Sequence, residues 1–233
     1  MVRGQFCYRI SRINRESEWI VDTHSLKFPP RSKSLSIPGM ALTDNLPAYV
    51  ERKLFTLNCG HAIAAYLGSI LGLETIYDAI NNESHIFPIV GGAMRESSAA
   101  LAKKYPGLFD ESEREDYISK TLERFKNPAV VDNVSRVGRN PLRKLGRDER
   151  LMGPLYLARR HNLPVKNLAM GIAATLMYRN EEDQQAMEIG KIIAKSGLEE
   201  AIVEITGLEK GSEEWNEVIQ SWNVLDSWKK EAT

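Results

Sequence analysis

The sequence predicts a mainly α, multi-helix fold behind a short irregular or β amino-terminal segment, with the boundary between residues 42 and 43. Three observations predict it. From Thr43 onward apolar residues recur at helical spacing almost without interruption. Capping residues, prolines and glycines punctuate that pattern at helix-sized intervals. No strand-like run is followed by G-x-G-x-x-G at the start of a helix, so a Rossmann domain is not expected within this chain.

Within residues 1–42, Gln5–Ile10 (QFCYRI) alternates weakly and Trp19–Val21 is apolar and β-branched, which predicts one or two short strands. Pro29, Pro30, Ser32, Ser34, Ser36 and Pro38 then mark a loop. Asp44 and Asn45 are capping types, and Pro47 suits a first turn where a missing N–H costs nothing, so a helix starts near Pro47 and carries through His61. A short helix is expected over Leu73–Ile80 and a longer one over Ser84–Lys104, with Gly91 and Gly92 inside it. Ser112 with Glu115 reads as a capping box for a helix ending near Phe125, before Pro128. Arg147–Arg160 and Lys166–Tyr178 should pair as helices across the HNLP turn, burying Leu151, Leu155, Leu168, Ile172 and Leu176. Glu182–Ser196, closed by Gly197, then Leu198–Thr206 and Ser212–Lys230 complete the tail, where Trp215, Ile219, Trp222 and Leu225 share one face.

Composition excludes several function classes. At 233 residues with 42% hydrophobic content the chain can bury a core, and its formal net charge of zero argues against general affinity for nucleic acid or membrane surfaces. The apolar run Ala62–Leu73 is too short to span a bilayer, which takes about 20 residues. Cys7 and Cys59 are too few for a disulfide framework and fit a reducing, cytoplasmic setting. His24, His61, His85 and His161 lack metal-ligand spacing, so no metal site is expected. Cys59 and His61, two apart on a helix, point away from each other and do not form a nucleophilic pair.

Two stretches carry chemistry. In ERKLFTLNCGHAIAAYLG, Lys53, Asn58 and His61 are spaced K-x4-N-x2-H. At about 100° per residue they fall at roughly 0°, 140° and 80° around an α-helix, a wide arc that a kink would narrow. An unprotonated lysine can accept a proton, an amide can donate to a developing alkoxide, and an imidazole can orient or relay. The same residues also suit a surface lysine, a bending asparagine and a satisfied helix histidine. The second stretch, RVGRNPLRKLGRDER, concentrates Arg136, Arg139, Arg143, Lys144, Arg147 and Arg150 in a neutral chain, and Pro141 keeps Asn140 out of α geometry. Arginine forks grip phosphate and lysine adds a point charge, although a solvated basic turn would look the same. With no Phe, Tyr or Trp between Asn127 and Leu155, the stretch does not read as a nucleic-acid platform.

The run ERKLFTLNCGHAIAAYLG, with EWIVD at Glu18–Asp22, PGMALTDNLPAYVERKLFTLN and RVGRNPLRKLGRDERLMGP, resembles the polyol-specific long-chain dehydrogenases over roughly nine-tenths of the chain. The resemblance implies a metal-independent, NAD-dependent oxidoreductase that interconverts mannitol 1-phosphate and fructose 6-phosphate. It implies that Lys53 is the general base, that Asn58 and His61 hold the reacting oxygen, and that Arg136 and Lys144, eight residues apart, lie at the substrate. Arg139 and Arg143 look specific to the sugar-phosphate branch and are candidates for the phosphate. Residues 43–233 would then be an all-helical substrate-binding and catalytic domain, and residues 1–42 a remnant of the inter-domain region. NAD would be bound by a nucleotide-binding domain outside this chain, joined to it or separate. A non-catalytic helical remnant, and a hexuronate or unphosphorylated polyol reductase domain, share the same features.

Overall fold

The computed structural model describes residues 19–25 and 39–231, and the chain divides into two compact units, Met1–Val50 and Glu51–Thr233. The strand expected at Gln5–Ile10 and the loop through Pro29–Pro38 lie outside the described residues. In the first unit, β1 (Trp19–Asp22) pairs in parallel with β2 (Met40–Thr43), in register from Trp19 opposite Met40 to Asp22 opposite Thr43. The Thr43 hydroxyl accepts from Asn45 N–H at 3.0 Å, and the Asn45 side chain accepts from Ala48 N–H at 3.4 Å. Those bonds open α1 (Leu46–Arg52), with Pro47 in its first turn as the sequence indicates.

The second unit is helical. A π-helical turn, Lys53–Leu57, interrupts what was expected to be one continuous helix, and α2 (Asn58–Ile70) follows it. After α3 (Ile76–Asn81) come α4 (Ile86–Lys104) and α5 (Glu111–Phe125). The capping box of α5 sits two residues earlier than Ser112 and Glu115. Asp110 accepts from Glu113 N–H at 2.8 Å while Glu113 reaches back to Asp110 N–H, a geometry that an ionised N-cap carboxylate holds more strongly than a hydroxyl.

The basic stretch folds as α6 (Val134–Gly138) and α7 (Pro141–Lys144), hinged at Asn140, which is left-handed with φ 58°. The helix expected from Arg147 begins only at Met152, as α8 (Met152–Arg160), after a run of turns. The remaining helices are α9 (Lys166–Met177), α10 (Gln184–Ser196), α11 (Leu198–Thr206) and α12 (Glu213–Glu231).

The core forms where α2 packs on α4, α6 and α9, and α12 lies along α9. Leu151, Leu155, Leu168, Ile172 and Leu176 are all fully buried, as their spacing requires. On α12, Trp215 and Leu225 are buried while Ile219 and Trp222 pack against the core from its edge. A Cβ at Gly171 would come within 2.4 Å of Ile63, so α9 approaches α2 more closely than alanine permits. Glu96 of α4 ties the start of α9 down, accepting from Asn167 N–H at 2.9 Å and Leu168 N–H at 2.9 Å. These contacts fix α2, and with it the motif, against the rest of the unit.

Candidate active site

The π turn governs the motif. Asn58 N–H donates to the carbonyl of Lys53, a bond across five residues instead of four. In an α-helix residues five apart diverge by about 140°, whereas a ring closed over five residues brings them closer together around the axis. The widened turn therefore narrows the arc between Lys53 and Asn58. Its wider ring leaves the Phe55 carbonyl reachable from outside, and the buried Ser97 hydroxyl of α4 donates to it at 2.8 Å. Phe55 and Thr56 point inward and are buried, while Lys53 is exposed and Asn58 half-buried. Among the described residues no hydrogen bond or ion pair joins the side chain of Lys53 or Asn58 to another group.

His61 lies on the first turn of α2, its ring stacked on Phe125 with centroids 4.9 Å apart and planes 18° from parallel. Its Nε2 is 3.1 Å from Asp132 Oδ2, within ion-pair reach but without the alignment of a hydrogen bond. Burial pushes the imidazole down to a pKa of about 4; Asp132 opposes that, and Arg136, Arg124 and Lys144 reinforce it. The ring is thus neutral at physiological pH. Backbone pairing places Asp132 there: its carbonyl accepts from Ile76 N–H at 2.9 Å, and Val134 N–H donates to Glu74 O at 2.8 Å. Asp132 also forms an ion pair with Arg136, one turn along.

Lys144 is buried, with its ammonium donated to the Val137 carbonyl and 5.4 Å from the centre of the Tyr66 ring. Burial lowers its pKa to about 7, helped by Arg150 and Arg143 and opposed by Asp183. Lys144 is thus the buried lysine of the site, while Lys53 is exposed. Tyr66 donates its hydroxyl to Gly138 O at 2.9 Å, so the last carbonyls of α6 are held by one ammonium and one phenol. Arg139 is exposed, its Nε donating to Arg136 O at 3.1 Å. Arg143 is committed: Nη1 lies 2.9 Å from Glu149, and its backbone N–H donates to Gln185 at 2.9 Å.

The structure therefore brings His61, Arg136 and Lys144 into one electrostatic neighbourhood through Asp132 and Tyr66, and couples Lys53 to Asn58 through the backbone. Beside Arg136 and Arg139 opens a cavity of about 430 Å³, adjoining a second of about 470 Å³ through the shared residues Ser135, Asn180 and Glu182.

Residues 45–226 match the model of the mannitol dehydrogenase C-terminal domain. The chain belongs to the mannitol dehydrogenase C-terminal domain family. In fold it is similar to a D-sorbitol dehydrogenase solved in substrate-free form, with TM-score 0.65 and 20% identity over 83% of this chain. It is likewise similar to Pseudomonas fluorescens mannitol 2-dehydrogenase, solved as a ternary complex with NAD and D-mannitol, with TM-score 0.63 and 20% identity over 83% of this chain. The match covers 42% of each of those chains.

For this mannitol dehydrogenase C-terminal domain the described residues do not fit a nicotinamide dinucleotide. The two strands are four residues long, and β2 leads into α1 through Thr43–Asn45 without a glycine cradle. Among the described residues no group of three His, Cys, Asp or Glu could hold a metal, and no helix is long and apolar enough to cross a membrane.

Four residues of the site were not singled out in the sequence. Asp132 had a signal, since it stands four residues before Arg136 and so one helical turn away. Asp183 caps α10, accepting from Gln185 and Ala186 N–H, and its other oxygen takes Asn140 N–H at 2.7 Å. Tyr66 and Ser97 act on carbonyls far along the chain, which no local pattern reports.

Proposed function

We propose that this mannitol dehydrogenase C-terminal domain is the substrate-binding and catalytic part of an NAD-dependent oxidoreductase of the mannitol-1-phosphate 5-dehydrogenase type, interconverting mannitol 1-phosphate and fructose 6-phosphate. The observation that supports it is the π turn, which sets Lys53 and Asn58 in register at the head of the helix that carries His61. In this reading Lys53 accepts the proton of the hydroxyl being oxidised, and Asn58 donates to that oxygen as it gains negative charge. Neutral His61, backed by Asp132, orients the same oxygen without adding a competing cation. Arg136, Lys144 and Arg139 form the cationic side that receives the sugar phosphate, with Arg143 tied back to Glu149. NAD belongs to a nucleotide-binding domain other than the residues described, and the working protein is cytoplasmic.

The exposure of Lys53 favours a second reading, a non-catalytic helical remnant that keeps the fold but has no turnover even when the nucleotide-binding domain is supplied. One experiment addresses both. With a nucleotide-binding domain supplied in cis or in trans, fructose 6-phosphate should drive NADH oxidation, and Lys53→Ala should cut the rate by about a hundredfold or more. Activity within twofold of wild type ends the role of Lys53. Sugar-phosphate binding with no oxidation under any supply of that domain supports the second reading.

A further inference from the structure

Because the exposed side chain of Lys53 is held by no hydrogen bond or ion pair among the described residues, its place is set by the backbone on either side. After it, the buried Phe55 and Thr56 and the Ser97 bond to the Phe55 carbonyl at 2.8 Å tie the turn down. Before it, two side chains do so. Glu51 accepts from Lys104 Nζ at 2.7 Å and from the Tyr105 hydroxyl at 2.7 Å, both at the C-terminal end of α4. Arg52 is only 8% exposed, and its guanidinium carbon lies 4.8 Å from the centre of the Phe109 ring and 4.4 Å from that of Tyr117. Phe109 is itself buried and meets the Tyr105 ring edge-on, with centroids 6.5 Å apart. The connection from α4 into α5 therefore anchors both residues that lead into Lys53.

Arginine is a costly choice here if packing alone counts, since desolvating a guanidinium costs free energy that an unbranched apolar chain of similar length avoids. What the planar cation adds is direction. Its attraction to two aromatic faces favours particular orientations of its plane, whereas a flexible thioether packs against the same rings in many. Arg52 immediately precedes Lys53, whose carbonyl closes the widened ring with Asn58 N–H, so an oriented Arg52 fixes the backbone from which the lysine side chain departs. A small rotation of the turn is magnified along the length of a lysine, and misplacing a reacting group by about 1 Å costs up to about a hundredfold in rate.

We propose that Arg52 is a positioning residue for Lys53: held by the rings of Phe109 and Tyr117, it sets the direction in which the lysine leaves the π turn and touches neither substrate nor cofactor. The proposal rests on the reading of Lys53 as proton acceptor and adds what aims it.

The test uses Arg52→Met, which keeps length and packing but loses the planar cation, Tyr117→Leu, which removes a ring, and Tyr117→Phe, which keeps it. With the nucleotide-binding domain supplied, Arg52→Met and Tyr117→Leu should each lower kcat for fructose 6-phosphate reduction by about tenfold or more with KM changed less than about threefold, and the double variant should be no worse than the worse single one. Tyr117→Phe should stay within about threefold of wild type. On the 233-residue chain alone, Arg52→Met should speed hydrogen exchange of the Asn58 amide about tenfold and leave that of the buried Ala174 in α9 at the wild-type rate. Equal acceleration at both amides would make Arg52 a contributor to global stability and overturn the proposal, as would an unchanged kcat in Arg52→Met. A rate lost in Lys53→Ala but kept in Arg52→Met removes the proposal alone; a rate kept in Lys53→Ala removes the proton-acceptor reading and the proposal with it.

Discussion

The backbone N–H of Asn58 donates to the carbonyl of Lys53, which makes two side chains of the K-x4-N-x2-H motif into consecutive levels of one widened turn. A π turn is less favourable than the α-helix on either side of it and persists where the surroundings stabilise it. Here the stabilising group is identifiable. Ser97, fully buried on α4, donates to the Phe55 carbonyl inside the turn.

Ser97→Ala leaves that carbonyl buried without its donor. The expected cost is about 1–3 kcal/mol, at roughly 2–4 °C of Tm per kcal/mol for a chain of this size. Hydrogen exchange at Asn58 should accelerate along with it. A variant that melts like wild type and protects Asn58 N–H equally would show that the turn does not depend on Ser97.

His61 should remain neutral well below the usual histidine range, because burial, the largest cause, pushes its pKa down to about 4. A proton-detected titration of the ring should show no charged form at pH 6. The linkage has a definite sign. Between about pH 6.5 and 4 the unfolded chain binds a proton that the folded chain refuses, so stability falls as pH falls through that window. His61→Gln should flatten this part of the pH–stability curve; an unchanged slope, or a ring midpoint at or above 6.5, contradicts the environment described.

Lys144 carries the opposite end of the pH range. Its folded pKa of about 7 lies below the 10.5 of an unperturbed lysine. Above pH 7 the unfolded chain keeps the proton that the folded chain loses, so this residue's contribution to stability improves as pH rises, by up to about 1.4 kcal/mol per unit. Urea melts at pH 7 and pH 9 should show wild type gaining on Lys144→Met across that interval. A constant difference between the two would mean that the ammonium is not disfavoured by its site.

The helical class was legible because period and punctuation agree: buried Leu151, Leu155, Leu168, Ile172 and Leu176 stand where an α repeat puts them, and Gly197, at φ 80°, closes α10 as a glycine after a helix should. The π turn was not legible, because it adds one residue to a turn without changing which residues are apolar. The two-residue error at α5 has a local cause, since Asp110 and Ser112 are both good caps and only the fold shows which oxygen meets an N3 amide. At the site, the basic stretch announced its charge but not its division of labour. Lys144 is buried and Arg143 is tied to Glu149, distinctions set by Tyr66, Val137 and Gln185 across the fold.

The carboxylate of Asp183 spans two segments 43 positions apart, one oxygen on the α10 entry and the other on the left-handed Asn140. Anyone transplanting the arginine-rich hairpin into a foreign scaffold would therefore need to carry α10 with it. Without that staple the graft would keep its charges and lose the arrangement that positions them.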